Sequence, residues 1–333
     1  MRAMILAAGF GTRLGALSDE CPKPLLPVCD RPAIHYSLSL LHGAGFTEVM
    51  INLHHHGDLI EGALGSSFGA IAIHYSREPV ILGTGGGIRH AADWLTRGGR
   101  ERFCVLNGKL VVSLNLRALL EADAHAASRG ALATMVLRHA PDPDRWGAVE
   151  TAGDQVVRII GKGRAPDVAS QQKWMFTGIH VLGPELVSRL PAGESCIIRQ
   201  GYLPALAEGG VVAWHEQSLY FEEHSTPRRY LDGNLALLAD PTRLLGVALP
   251  AELVGVHPSA EIDPGATLTP PLRIGPGARV AAGARVGPSV VLGARAIVEQ
   301  GATIERAVVW SEARVSGVVR DAIVTPRGVF PVG

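Results

Sequence analysis

Short apolar segments alternate with amphipathic segments in the first third of the chain, and this pattern predicts the order of strands and helices. It predicts strands at residues 3–8, 48–53, 70–75 and 103–106, and helices at residues 32–44, 58–64 and 88–95. Such alternation is typical of an α/β fold with a mostly parallel sheet. Ligands of these sheets bind beyond the carboxyl ends of the strands, where the glycine-rich turns at residues 9–11 and 83–87 are also expected.

The last part of the chain has a different period, because apolar residues recur at every sixth position. The series is Val256, Ile262, Leu268, Ile274, Val280, Val286, Leu292, Val298 and Ile304. This period fits neither an α-helix nor an ordinary strand, but it fits a solenoid whose short strands form the sides of a triangular coil. It predicts a small left-handed parallel β-helix, with an irregular cap after Trp310. We therefore expect an α/β domain at residues 1–237, a linker at 238–253 and a β-helix domain at 254–333.

Composition limits the classes of partner. Lys and Arg together number 31, as do Asp and Glu, so the formal net charge is zero, and the basic residues are scattered. Nucleic-acid-binding proteins concentrate positive charge, so we expect a small-molecule partner and no nucleic acid. No apolar stretch approaches the roughly 20 residues of a membrane helix, which predicts no membrane partner. The four cysteines lack CxxC spacing, which favours reduced thiols and a cytoplasmic location.

The first glycine turn is followed by side chains that suit phosphate. Gly9 and Gly11 allow backbone N–H groups to approach phosphate oxygens closely, because glycine has no Cβ. Alone, this is a weak signal, since many tight turns contain glycine. Thr12, Arg13 and Lys23 add a hydroxyl, a planar guanidinium and an ammonium, and this combination favours a polyphosphate ligand.

The same segment carries a family resemblance. Residues 6–14, Leu-Ala-Ala-Gly-Phe-Gly-Thr-Arg-Leu, and residues 22–27, Pro-Lys-Pro-Leu-Leu-Pro, resemble the signature of the nucleotide-sugar pyrophosphorylases. The resemblance implies a Rossmann-like nucleotidyltransferase domain that joins a nucleoside triphosphate to a sugar 1-phosphate and releases pyrophosphate. It implies catalytic roles for Arg13, which grips the triphosphate and stabilises the transferring phosphoryl group, and for Lys23, which holds phosphate oxygens. The implied nucleotide-binding residues are Leu6, Ala7, Gly9, Gly11, Thr12, Gly83, Thr84, Gly85 and Gly86.

The resemblance extends along nearly the whole chain. The Gly-Thr-Gly-Gly-Gly segment at residues 83–87 is similar to the family loop that packs against the nucleobase. Four further positions match those that contact the sugar phosphate, namely Asn107, Gly147, Lys162 and Thr177. A hexapeptide-repeat tail belongs to several branches, including the mannose-1-phosphate guanylyltransferases. This favours GTP and a mannose-like sugar 1-phosphate as substrates, and it leads us to expect a homo-oligomer.

One position departs from the family pattern. In the family, the Asn-Gly motif ends in an aspartate that holds Mg²⁺ together with a second acidic residue near Ser/Gly-Thr-Pro. In this chain Lys109 occupies the first position, and Glu223 aligns with the second. Two arrangements follow: Mg²⁺ binds through Glu223 and substrate phosphates while Lys109 points elsewhere, or the Lys109 ammonium itself neutralises phosphate.

The departure leaves more than one function open. The first hypothesis is an active sugar-1-phosphate nucleotidyltransferase that uses Mg²⁺. The second is a catalytically impaired regulatory pseudoenzyme that binds a nucleotide sugar and forms a hetero-oligomer with an active paralogue. A third, an acyltransferase that uses the solenoid, is disfavoured because His257 in the first coil is no obvious catalytic histidine.

Other polar and reactive residues are assigned no chemistry. Cys104 lies in an apolar predicted strand, so we interpret it as an inert core thiol. Ser113 and Asn115 follow Lys109 closely and carry oxygen atoms, but both are neutral, and we interpret them as loop or helix-cap residues.

Overall fold

The computed structural model describes residues 1–164, 172–244, 246–247 and 250–332, and it contains two compact units. The first unit comprises Met1–Phe10, Leu40–Gly108 and Leu114–Leu219, and the second comprises Gly11–Ser39, Lys109–Ser113 and Tyr220–Gly333. The linker predicted at residues 238–253 includes residues 245, 248 and 249, which lie outside the described residues. The predicted domain limits therefore stay predictions.

The described residues form 27 strands. In chain order they are β1 (Ala3–Leu6), β2 (Pro27–Val28), β3 (Arg31–Pro32), β4 (Glu48–Leu53), β5 (Ser67–Phe68), β6 (Ile71–Arg77), β7 (Phe103–Asn107), β8 (Leu110–Val112), β9 (Ala131–Arg138), β10 (Val149–Ala152), β11 (Gln155–Ile159), β12 (Lys162–Gly163), β13 (Gln172–Leu182), β14 (Val211–Glu216), β15 (Phe221–Glu223), β16 (Gly255–Val256), β17 (Glu261–Ile262), β18 (Thr267–Leu268), β19 (Leu272–Ile274), β20 (Arg279–Val280), β21 (Arg285–Val286), β22 (Val290–Leu292), β23 (Ile297–Val298), β24 (Thr303–Val309), β25 (Arg314–Val315), β26 (Val318–Thr325) and β27 (Gly328–Pro331).

The helices are mostly short. They are α1 (Leu17–Glu20), α2 (Ala33–Gly43), α3 (Gly57–Leu64), α4 (Gly83–His90), α5 (Ala92–Leu95), α6 (Leu116–Ser128), α7 (Pro184–Val187), α8 (Leu203–Ala207), α9 (Pro227–Ala239) and α10 (Pro250–Leu253). Single turns of 3₁₀-helix lie at Thr12–Leu14, Lys23–Leu25, Asp144–Trp146 and Pro241–Leu244, and a π-helical turn lies at Ile197–Tyr202. In the described part of the chain, none of the helices has the length and apolar composition needed to span a bilayer.

The first unit is built on one mixed sheet. Its strand order is β10-β11-β14-β9-β13-β7-β1-β4-β6-β5, with β12 paired to β11. The pairings of β1 with β4 and β7, and of β4 with β6, are parallel, as the alternating pattern predicts. These strands are buried along most of their length, which explains why they read as continuous apolar runs. Most pairings of the later strands, including both pairings of β13 with β7 and β9, are antiparallel.

The second glycine-rich segment differs from its prediction as a turn. It forms the first turns of α4, which begins at Gly83. The helix is possible despite the low helix propensity of glycine because the segment packs closely against residues 193–197, as described below.

The second unit contains the predicted β-helix. Its strands stack in parallel, with Val256 beside Ile274, Ile262 beside Val280 and Leu268 beside Val286. Each residue therefore lies beside the one three repeats later, which is the coil of the predicted left-handed parallel β-helix. The in-phase aliphatic residues from Ile274 onward form its buried core.

The predicted irregular cap after Trp310 is wrong. The chain continues into β25 and then into β26, which pairs in parallel with β24 and antiparallel with β27. The six-residue phase is lost here because the coils become shorter: Val256 pairs with Ile274, 18 residues later, but Leu292 pairs with Val309, 17 residues later, and Ile304 with Val319, 15 residues later. A weakened repeat therefore marks shorter coils, not an irregular end.

The β-helix unit also contains the glycine-turn segment at residues 11–39. Tyr230 on α9 is fully buried, and its hydroxyl donates to the Pro27 carbonyl at 2.6 Å and accepts from Trp310 Nε1 at 3.1 Å. The Cys29 amide donates to Asn234 Oδ1 at 2.7 Å. The segment that carries Arg13 and Lys23 is thus held by the same unit as the β-helix.

Candidate active site

A group of charged side chains in the second unit gathers around one carboxylate. Strand β8 pairs antiparallel with β15 and places Leu110 opposite Glu223, so the residue before Leu110 is held beside that carboxylate. Lys109 Nζ donates to Glu223 Oε1 at 2.5 Å, and Arg13 Nη2 lies 3.5 Å from the same oxygen. We call Arg13, Lys23, Lys109 and Glu223 the cation cluster.

Lys23 belongs to the cation cluster through its packing and its electrostatics. It follows the glycine turn, and a Cβ placed on Gly11 would lie 3.6 Å from Lys23 Cε. Burial, the Lys109 ammonium and the Arg13 guanidinium lower the pKa of Lys23 to about 8, and Glu223 opposes them only in part. The cluster thus carries an excess of positive charge that an anion would relieve.

Glu223 is held ionised by its neighbours. Burial alone would raise the pKa of this carboxyl, but the Lys109 ammonium and the guanidinium groups of Arg229 and Arg13 outweigh burial and hold its pKa below the usual range. Arg229 Nη1 lies 3.9 Å from Glu223 Oε2, and Arg229 Nη2 donates to Glu222 Oε1 at 2.9 Å. The two glutamates are therefore paired groups and not a solvated acidic surface.

In the first unit, a buried network supports the end of β1. The Ala7 amide donates to Asn52 Oδ1 at 2.7 Å, and Asn52 Nδ2 donates to Glu78 Oε1 at 2.8 Å. Glu78 Oε2 accepts from the Leu82 amide at 3.0 Å, just before α4. Asn52 and Glu78 were not predicted from the sequence, although Asn52 lies at the end of the predicted strand 48–53 and Glu78 directly follows the observed β6, where ligand-binding residues of parallel sheets gather.

The glycines of α4 are required by packing within the first unit. The amides of Gly85 and Gly86 both approach the Ser195 carbonyl, at 2.8 and 3.3 Å. A Cβ on Gly86 would lie 2.2 Å from the Gly193 carbonyl oxygen, closer than any side chain tolerates. Thr84 Oγ1 accepts from the Ile197 amide at 3.1 Å.

The predicted nucleotide-binding residues differ in exposure. Gly85 and Gly86 are buried, Gly83 is partly exposed and Thr84 is exposed. Near the end of β1, Leu6 and Ala7 are largely covered, while Gly9 is exposed and has open space where a Cβ would be. In the second unit Gly11 is buried, and Thr12 and Arg13 are exposed. The exposed members are the ones available to a ligand.

Two predicted sugar-phosphate residues meet at a β-bulge in the first unit. The register between β13 and β9 shifts between Phe176 and His180, and Gly178 within this stretch has φ of +80°. A Cβ on Gly178 would lie 2.1 Å from Asn107 Nδ2, so Asn107 lies directly against the bulge. Thr177 is buried, and its hydroxyl donates to the Val136 carbonyl at 2.8 Å. The Thr177 side chain therefore shapes the bulge, and Asn107 is the more accessible residue.

The other two predicted sugar-phosphate residues lie at one end of the β10–β11 hairpin. Gly147 ends a 3₁₀ turn just before β10, and a Cβ placed on it would lie 3.4 Å from the Ile160 side chain. Lys162 begins β12, pairs with Ile159 of β11 and is exposed. The hairpin thus brings Gly147 and Lys162 to the same end of the sheet.

Other assignments made from sequence agree with the structure. Asn115 is the N-cap of α6, where its side chain accepts from the Ala118 amide at 3.1 Å. Cys104 is fully buried in β7, and burial raises its pKa, as expected of an inert core thiol.

Comparisons with known proteins decide the family. Residues 2–195 match the family model described as Nucleotidyl transferase. This chain belongs to the nucleotidyl transferase family. A mannose-1-phosphate guanylyltransferase from Mycobacterium tuberculosis is 30% identical over 274 residues, which cover 79% of this nucleotidyl transferase and 72% of that protein. An N-acetylmuramate alpha-1-phosphate uridylyltransferase from Neisseria meningitidis is 36% identical over 198 residues, covering 58% of this chain and 80% of that one.

The fold comparison agrees with the family assignment. The crystal structure of a putative glucose-1-phosphate thymidylyltransferase from Bacillus anthracis has a TM-score of 0.58 and 22% identity, and the match covers 72% of this nucleotidyl transferase and 96% of that chain. It shows a shared fold. Some relatives match over a smaller part of their length: the nucleotidyl transferase spans 63% of the mannose-1-phosphate guanyltransferase beta-A of Xenopus laevis, to which it is 28% identical.

The expected metal site does not fit the residues that the structure describes. Members of the family generally use a divalent metal. Within the described ranges no group of three or more His, Cys, Asp or Glu side chains is arranged to hold a metal ion. The predicted ligand Glu223 is already bound by Lys109. A divalent ion about 4 Å from an ammonium would be repelled by roughly 8 kcal/mol at an effective dielectric of about 20. The one carboxylate expected to bind Mg²⁺ is therefore already held by an ammonium.

Proposed function

We propose that this nucleotidyl transferase transfers a nucleotidyl group from a nucleoside triphosphate to a sugar 1-phosphate and releases pyrophosphate. The observation that carries the proposal is the cation cluster, in which Lys109 and Arg13 contact one carboxylate and Lys23 adds a third positive charge after the glycine turn. Such an excess of partly buried positive charge suits a polyphosphate and stabilises charge that develops during phosphoryl transfer.

We favour GTP as the donor and a mannose-like sugar 1-phosphate as the acceptor. Relatives named as mannose-1-phosphate guanylyltransferases from Mycobacterium tuberculosis and Oryza sativa match over 79% and 80% of this chain. The Neisseria meningitidis uridylyltransferase and the heptose 1-phosphate guanylyltransferase of Aneurinibacillus thermoaerophilus match over 58% and 49%. The longer matches extend beyond the region shared by all these nucleotidyltransferases, and this supports guanylyl transfer to mannose 1-phosphate.

The proposed reaction is a displacement at the α-phosphorus of the donor. A phosphate oxygen of the sugar 1-phosphate forms a bond to the α-phosphorus, and the bond from that phosphorus to the bridging oxygen of the β-phosphate breaks. The electron pair of the broken bond leaves on pyrophosphate. Arg13 and Lys23 neutralise the charge on the transferring and leaving groups, while Asn107 and Lys162 bind the sugar 1-phosphate.

An assay of pyrophosphate release tests the proposal. Each common nucleoside triphosphate is paired with a panel of sugar 1-phosphates, with and without divalent cations, and GTP with mannose 1-phosphate should give the highest kcat/KM. Arg13→Ala should lower kcat/KM by about a hundredfold or more. Its control is Arg279→Ala, which removes an exposed arginine of the same unit that pairs with Glu261 at 3.0 Å.

The outcomes of this assay separate the alternatives. A higher kcat/KM with another pair of substrates would contradict the assignment of GTP and mannose 1-phosphate. If no pair releases pyrophosphate, the proposed enzymatic activity is wrong and the regulatory hypothesis is favoured. The comparisons give that hypothesis no support, because the relatives from Xenopus, Mycobacterium, Neisseria and Oryza all carry the names of transferases. The homo-oligomer and the hetero-oligomer with an active paralogue stay predictions, which light scattering of the purified protein would measure.

A further inference from the structure

The Lys109–Glu223 ion pair is fixed by the backbone. Lys109 directly precedes β8, whose residues Leu110–Val112 are buried, and Glu223 ends β15, the strand that pairs with β8. The exposed fractions of the two side chains are 25% and 16%. A pair held between two short paired strands, of which β8 is buried, is more defined than a mobile surface salt bridge.

The residues around the Lys109–Glu223 ion pair disfavour a bound metal ion. Arg13 and Arg229 approach the two carboxylate oxygens of Glu223 from further away than Lys109 does. Glu222, the adjacent carboxylate, is bound by Arg229 through both Nε and Nη2. No unpaired carboxylate is therefore left among these residues for a metal that prefers oxygen ligands.

The same surroundings favour an anion. The cation cluster contains three cations and one carboxylate, and two of the cations, Lys109 and Arg13, contact that carboxylate. An ammonium is a compact point charge with three donors that binds phosphate well. Glu223 compensates the charge of Lys109. No second carboxylate belongs to the cation cluster to compensate the charges of Arg13 and Lys23. A phosphate group supplies the missing negative charge.

We propose that the Lys109 ammonium takes the place of a divalent cation in this site, so that the triphosphate of the nucleotide binds without metal. The inference rests on the proposed function in one respect, the choice of a nucleoside triphosphate as ligand. Lys109 is here a binding residue that contacts phosphate, and Glu223 orients its ammonium.

Calorimetric titration of the full-length protein with GTP tests this inference. One titration contains EDTA and the other contains Mg²⁺, and the wild-type protein should bind GTP at least as tightly in EDTA. Binding that is detected only with Mg²⁺ would overturn the inference, and this result does not depend on the folding of any variant.

Three variants locate the effect at Lys109. Lys109→Met removes the charge at similar length and should weaken binding in EDTA at least tenfold, without rescue by Mg²⁺. Lys109→Asp should also lose binding in EDTA, but Mg²⁺ should restore it. The control is Lys173→Met, which removes an exposed lysine bound to Asp144 at 2.9 Å and should change neither titration. Unchanged binding of Lys109→Met in EDTA would contradict the inference.

Glu223→Gln distinguishes the two possible roles of the carboxylate. If Glu223 orients Lys109, the variant retains binding in EDTA, with a change of less than tenfold. If Glu223 is instead a metal ligand, the variant loses a binding enhancement that the wild type shows with Mg²⁺, and the inference is wrong.

Metal-free binding of GTP without pyrophosphate release would refute only the proposed function. Pyrophosphate release together with strictly Mg²⁺-dependent binding of GTP would refute only this inference.

Discussion

Asn52 and Glu78 form a buried pair that joins the end of β1 to the start of α4. Asn52 Nδ2 donates to Glu78 Oε1 at 2.8 Å, and the exposed fractions of the two residues are 2% and 4%. The pair also satisfies the amides of Ala7 and Leu82. Because backbone amides on two chain segments depend on it, the pair fixes the part of the first unit in which nucleotide binding is predicted.

Glu78→Gln should destabilise the protein by about 1–3 kcal/mol, because the amide nitrogen of glutamine would face a donor where the carboxylate accepted two hydrogen bonds. Urea unfolding measures the change. Glu101→Gln is the control, since Glu101 is a partly exposed residue whose pair with Arg97 spans 3.2 Å, and it should cost less than about 0.5 kcal/mol. If both substitutions lower the free energy of unfolding equally, the hydrogen bonds of Glu78 stabilise the protein no more than an ordinary surface ion pair does.

The strands and the β-helix could be predicted because their signals are local. Apolar runs mark β1, β4 and β7, and the six-residue period marks the coils. The hydrogen-bond network of Asn52 and Glu78 could not be predicted in this way. Single Asn and Glu residues form no periodic pattern, and Asn52 lies 45 residues from Ala7 in sequence. The helical state of residues 83–87 was also missed, because it depends on the close packing of Gly86 against the Gly193 carbonyl.

In the candidate site, too, the residues could be predicted from the sequence but their contacts could not. Resemblance to a known family singled out Arg13, Lys23, Lys109 and Glu223, and these residues do form one cluster within the second unit. It could not indicate that Lys109 binds Glu223 directly, because that contact depends on the pairing of β8 with β15 across more than a hundred residues. This contact, and not the substitution alone, occupies the carboxylate that was expected to bind Mg²⁺.

Gly178→Ala should impair binding of the sugar 1-phosphate. The new Cβ would lie 2.1 Å from Asn107 Nδ2 and would displace that side chain, so the KM for the sugar 1-phosphate should rise about tenfold to a hundredfold while the KM for GTP changes little. Gly153→Ala is a matched control, because Gly153 also has a positive φ, of +59°, but has open space at its Cβ position. If both variants raise the KM equally, backbone strain is the cause and Asn107 has no part in binding.

Lys23 should make nucleotide binding depend on pH in the alkaline range. Its pKa of about 8, lowered by burial and by the charges of Lys109 and Arg13, means that the free protein loses this charge as the pH rises through 8, whereas Glu223 stays ionised. GTP affinity should therefore fall by about tenfold between pH 7 and 9.5, since one pKa unit corresponds to a factor of about ten.

Lys23→Arg provides the comparison for this pH dependence, because arginine keeps its charge throughout the range. The ionisation of GTP itself is common to both proteins, so the difference between their titration curves reports on Lys23. Curves that stay parallel from pH 7 to 9.5 would show that Lys23 does not lose its proton in this range or does not contact the ligand.

Tyr230→Phe tests whether the β-helix unit positions the cation cluster. The tyrosine hydroxyl links the Pro27 carbonyl to Trp310 Nε1, and its removal leaves both groups buried without this partner. The cost should be about 1–3 kcal/mol by urea unfolding. Because Pro27 lies four residues after Lys23, GTP should also bind more weakly to the folded variant. Tyr75→Phe is the control, since that hydroxyl bonds the Gly65 carbonyl at an exposed site. A variant that loses stability but keeps full GTP affinity would show that the β-helix supports the segment without positioning Lys23.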